Sequence, residues 1–236
     1  MSFLSNIKII GFFQIIQSIL IVLIYNIIVA VVFPPENING VLVPSFFYIF
    51  SSQIVGFLLT GFSLIFLYKV VIPENFFEFK IQINNFSIMI ILFLLVNLLI
   101  ALYQLLIIKI IPYYLIPSYY SMQNELSKDY LNLAILLSKY HPSLLYLVGG
   151  LLPAVCEEFF FRGYLQNLAL NKYKPINAIL LVSFIFAFFH FQLIAFIPLF
   201  IFGIALGFLT YKTQRIIYSV ILHFINNAIT LYFINF

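Results

Sequence analysis

Three short stretches place acid–base side chains in a chain that otherwise carries few. PAVCEEFFFRGYL, Pro153 to Leu165, holds Glu157, Glu158 and Arg162 within six residues. LLVSFIFAFFHF holds His190 four residues after Phe186, and YSVILHFINNAITLYF holds His223 four residues before Asn227. A carboxylate, two imidazoles and a carboxamide around a wet cavity suit water-dependent cleavage of an amide. The carboxylate removes a proton from water, an imidazole orients that water or protonates the leaving amine, and a donor pair stabilises the developing oxyanion.

On a helix Glu158 and Arg162 are four apart and face each other, so one carboxylate is neutralised locally. Glu157 lies about 100° round the helix, and its own i+4 neighbour is Phe161, so its partner must come from another helix or from water. An ionisable residue at mid-span costs about 2.5–3.5 kcal/mol, so three together demand a reason. Plainer readings exist for each residue alone: Glu158–Arg162 as a structural ion pair, His190, His223 or Asn227 as interhelical hydrogen-bonders. Cys156 as a thiol nucleophile is disfavoured, because on a helix it points away from Glu157. Zinc is an alternative, since two His and a Glu form the ligand set of some zinc proteases, but no H-E-x-x-H occurs and the ligands would come from three helices.

The elements that must position these residues are membrane helices. The 236 residues are 64% hydrophobic and only 8% charged, with a mean hydropathy of +1.15, far from a soluble composition. Apolar runs predict seven helices over 9–33, 45–68, 86–111, 142–170, 176–191, 194–210 and 216–234. The expected fold class is all-α, a polytopic helical bundle, because spans must satisfy their backbone hydrogen bonds internally. The first apolar run lacks an obvious cleavage site and reads as a retained span. Between the third and fourth helices, Leu126, Tyr130, Leu133 and Leu137 recur at helical spacing, which predicts an interfacial helix. Gly149, Gly150 and Pro153 are expected to loosen the fourth helix just before the glutamates. Gly203 and Gly207 form a small-xxx-small pair suited to close helix packing.

The net charge of +4 is spread singly over the chain and forms no Lys/Arg cluster, which excludes nucleic acid as a partner and makes the charge topology information. Lys8, Lys69, Lys80, Lys172, Lys174, Lys212 and Arg215 fall on one side of the spans, against Lys109, Lys128 and Lys139 on the other, so the N-terminus is expected to be cytoplasmic. Counted inward from the nearest of these charges at 1.5 Å per residue, Glu157 lies about 22 Å deep, His190 about 24 Å, Asn227 about 18 Å and His223 about 12 Å, compatible with one mid-membrane site. The single Cys156 leaves the redox compartment open.

Taken in order, E-E-x-x-x-R as EEFFFR, F-x-x-x-H as FAFFH and H-x-x-x-N as HFINN resemble the motifs of the CAAX-protease and bacteriocin-processing family of intramembrane endopeptidases, relatives of the Ras-converting CAAX endopeptidases. The resemblance covers about 140 to 236. It implies one transmembrane domain over 1–236, with a variable three-helix part (9–111) and a motif-bearing core (142–236). It also implies Glu157 as the base activating water with His190, His223 and Asn227 as oxyanion stabilisers, and Glu158 with Arg162 as supports of the first carboxylate. No metal or other cofactor is expected. The implied partners are membrane lipid and a peptide or lipidated protein substrate, in what the Phe, Ile, Asn and Tyr richness suggests is a bacterial plasma membrane. A catalytically idle immunity or scaffold protein that binds peptides is the alternative.

Overall fold

The computed structural model describes residues 3–38, 41–43, 45–110, 142–192 and 195–235. These form α1 (Phe3–Val32), a ribbon of β1 (Glu36–Ile38) and β2 (Val41–Val43), α2 (Phe46–Tyr68), α3 (Ile83–Ile110), α4 (142–170), α5 (Pro175–Phe189), α6 (Phe196–Thr213) and α7 (Ile216–Asn235). The architecture is a helical membrane bundle, and six of these helices are long and apolar enough to cross a bilayer. The interfacial helix expected in 112–141 lies outside the described residues. The PPENING break carries the three-residue antiparallel ribbon, with Asn37 opposite Leu42.

The local sequence explains where helices begin and stop. Ser45 caps α2 by accepting the Tyr48 N–H at 3.1 Å, and prolines open α4 and α5, where a missing N–H costs nothing. Lys69 and Gln214 end α2 and α6 in the left-handed conformation.

α4 is the axle of the bundle. Half of its spanning window is buried, against 11% for α3. Phe160, Phe161, Tyr164 and Leu165 of α4 pack with Val182 and Phe186 of α5, Leu206 and Leu209 of α6, and Tyr218 and Leu222 of α7 in one core. α1 joins it through a 2.6 Å hydrogen bond between Ser18 Oγ and Tyr164 Oη.

α5 has 15 residues, about 22 Å at 1.5 Å each, and is the shorter apolar helix beside the six long ones, so the seven helices read from the sequence are all present. It ends because His190 caps it and Phe191 turns into the left-handed region (φ 51°), a conformation that costs a residue with a Cβ about 1–2 kcal/mol. The end falls within two residues of the boundary read from the sequence, where His190 and Gln192 interrupt the apolar run. The consequence is functional, because His190 stands at a helix terminus and not on its flank.

α4 is irregular where the site is built. Over Leu147–Leu151 and Phe159–Gln166 its hydrogen bonds run i to i+5, as they do over Ser52–Leu59 in α2. The first stretch contains Gly149 and Gly150 just ahead of Pro153, in line with the expected loosening, and such widened turns recur at functional sites.

Candidate active site

α4 contributes two adjacent carboxylates with different surroundings. Glu158 is fully buried; its Oε1 lies 3.1 Å from Arg162 Nη1 and 2.9 Å from His223 Nδ1. The i,i+4 pair foreseen from the sequence is therefore present, and α7 adds a third member. Arg162, 1% exposed, also donates from Nη2 to the Gly203 carbonyl at 3.2 Å and lays its guanidinium over the Phe186 ring at 4.6 Å. A buried charge held from α4, α6 and α7 in this way is a structural anchor as well as an electrostatic one.

Glu157 faces open space. Two cavities, of about 310 and about 200 Å³, meet at it. The larger lies toward α1 and α2, with Asn26, Tyr48, Ser52, Gln53 and Phe57 on its wall. The smaller lies toward α6 and α7, with Phe202, His223, Asn226 and Asn227. Among the described residues, Glu157 and His190 are the two that line both. Cys156 is buried and lines neither.

The hydrogen bonds fix several roles. His190 Nδ1 lies 2.8 Å from the Phe186 carbonyl oxygen, which can only accept, so Nδ1 carries a proton and Nε2 is the ring nitrogen left for other partners. The same logic holds for His223, whose Nδ1–H donates to the Glu158 carboxylate. Its Nε2 lies 4.0 Å from Glu157 Oε2, an oxygen with no hydrogen-bond partner among the described residues. Asn227 Nδ2 donates to the Gly150 carbonyl at 3.3 Å, in the widened turn of α4. Phe186 ties the imidazoles together, with its ring 4.7 Å from that of His190 and 5.8 Å from that of His223.

The structure thus brings Glu157, His190, His223 and Asn227 to one place, with Glu158 and Arg162 packed behind. It also supplies a residue that motif reading missed. Gln53 of α2 donates from Nε2 to Glu157 Oε1 at 3.3 Å, the cross-helix partner that the glutamate was expected to need. The signal was present, since SSQ interrupts an apolar span at mid-length. Among the described residues, no group of three or more His, Cys, Asp and Glu side chains converges as a metal site requires.

No curated protein and no solved structure matches the chain. A family model, described as Rce1-like, type II CAAX prenyl endopeptidase Rce1-like, matches residues 139–229, a stretch that contains all three polar motifs. The motif-bearing segment of this chain is thus similar to the Rce1-like CAAX endopeptidase family.

Proposed function

We propose that the protein is an intramembrane endopeptidase in which Glu157 activates water, without a bound metal, to cleave a peptide bond of a membrane-associated or lipid-modified peptide. The carrying observation is that, among the described residues, Glu157 and His190 alone border both cavities, which gives an extended peptide room on either side of a water held between them. Glu157 Oε2, which has no hydrogen-bond partner among the described residues, takes the proton of that water while the water oxygen bonds to the scissile carbonyl carbon. His190 Nε2 accepts the second hydrogen of the water and orients it. The oxyanion is met by an Asn227 N–H and by His223 Nε2, which donates when the ring is an imidazolium stabilised by Glu158. Collapse breaks the C–N bond, and the proton held by Glu157 passes to the leaving amine. The family description is of a CAAX prenyl endopeptidase, and the aromatic walls of the larger cavity suit a lipid-modified peptide.

The test compares peptides and lipidated proteins that accumulate in membranes carrying the wild type and Glu157→Gln. The expected result is an uncleaved precursor in the variant only. If Glu157→Gln supports every host phenotype of the wild type, the protein binds peptides and does not cut them.

A further inference from the structure

Both cavities sit in one half of the bundle. The larger is walled by Asn26 in the last quarter of α1 and by Tyr48, Ser52 and Gln53 in the first third of α2. The smaller is walled by Gly149 and Pro153 in the first half of α4, by Leu199 near the start of α6, and by Asn227 and Thr230 in the second half of α7. His190, at the end of α5, borders both. All six helices agree, since α1, α5 and α7 arrive at the cavity end of the bundle and α2, α4 and α6 leave from it.

The other half is packed and carries most of the basic residues. Tyr164 and Leu168 of α4, Leu206 and Leu209 of α6 and Tyr218 of α7 belong to one core, and none is more than 3% exposed. Beyond that core, the connections joining α2 to α3, α4 to α5 and α6 to α7 hold Lys69, Lys80, Lys172, Lys174 and Arg215, with Lys212 in the last turn of α6 and Lys8 in the first part of α1. At the cavity end, the connections 33–45 and 190–195 hold no Lys or Arg. The three basic residues assigned to that side are Lys109, in the last turn of α3, and Lys128 and Lys139, in the segment that follows it.

An excess of Lys and Arg marks the cytoplasmic side of a membrane protein. We propose that the cavities open away from the cytoplasm and take a peptide presented at the outer face, either exported or the outer segment of a membrane-anchored protein. A peptide arriving from the basic end would have to thread about 22 Å of packed helix between Lys172 and Glu157. Each main-chain N–H and C=O stripped of water on that path costs several kcal/mol. From the cavity end the chain meets a polar wall instead, where Asn26, Tyr48, Ser52 and Gln53 offer amides and hydroxyls, and Gln53 Oε1 has no hydrogen-bond partner among the described residues. A peptide as the ligand rests on the endopeptidase assignment, whereas the open face rests on packing and charge.

The open face is tested on the full chain in bacterial spheroplasts, with Asn26→Cys, Tyr48→Cys and Thr230→Cys on the cavity walls and Leu168→Cys and Leu209→Cys in the packed half. A charged, membrane-impermeant methanethiosulfonate should modify the three wall positions at least about tenfold faster from outside than in inside-out vesicles, because a hydrated thiol ionises to the reactive thiolate. The two packed positions and native Cys156 should resist from both sides. Faster modification in inside-out vesicles, or resistance of all three wall positions from both sides, would overturn the proposal. The source of the peptide is read with Glu157→Gln, whose uncleaved precursor should be found in the medium or be digested by trypsin added outside without lysis. A precursor protected until lysis would overturn an outer origin. Outside modification with no Glu157-dependent precursor in any fraction would uphold the open face and refute the endopeptidase assignment.

Discussion

Glu157 and Glu158 are neighbours in sequence, and their environments separate them. Glu157→Gln keeps the size and the contact with Gln53 but removes the proton acceptor, so turnover in reconstituted vesicles should fall about 10²- to 10⁴-fold while thermal stability in detergent stays within error. Arg162→Ala should do the reverse of a clean catalytic lesion. It strips a fully buried Glu158 of its cation, at a cost of about 3–5 kcal/mol, and should show as lost folded yield on size-exclusion chromatography. Gln53→Leu removes the hydrogen bond that orients Glu157 Oε1; kcat should drop about tenfold or more with little change in KM, as expected when a charged hydrogen bond is lost from a positioned base.

At the scale of elements, the junction of α4, α5 and α6 matters most. A Cβ on Gly203 would sit 3.1 Å from Ser183 Cβ and 3.2 Å from the Ser183 Cα of α5, and on Gly207 it would meet Gln166 Oε1 of α4 at 2.9 Å. Because these contacts include backbone, Gly203→Val should cost about 1–3 kcal/mol of stability and move the Gly203 carbonyl away from Arg162. Urea-induced unfolding in detergent and peptide turnover should both register it. The two glycines thus do more than allow close packing, since each carbonyl they expose accepts a side-chain donor of α4, Arg162 at one and Gln166 at the other. The short α5 complements this, ending at His190, which lines both cavities.

For the whole molecule, the basic loops gather at one end. Arg215, ahead of α7, is 2.8 Å from Glu78 and donates to the Lys80 carbonyl at 2.6 Å in the α2–α3 connection. The Ile216 N–H donates to the Phe76 carbonyl at 3.0 Å, and Gly11 of α1 abuts the aliphatic stem of Lys172 after α4. This clustering supports the proposed topology, in which these segments are cytoplasmic. Cysteines placed at Lys69, Lys172 and Lys212 should be protected from an impermeant maleimide added outside intact cells and should react after permeabilisation. Labelling of any one from outside would reject a common cytoplasmic face.

The sequence by itself determined the class of the fold, the breaks between helices and the three motifs, because hydropathy and i,i+4 spacing are local properties of a chain that must satisfy its backbone within each helix. It also located Glu158–Arg162, whose partners lie on one turn. Tertiary structure alone decided that His223 belongs to Glu158 and that Gln53 holds Glu157. Those outcomes depend on which helix faces are turned together. Neither hydropathy nor periodicity carries that information.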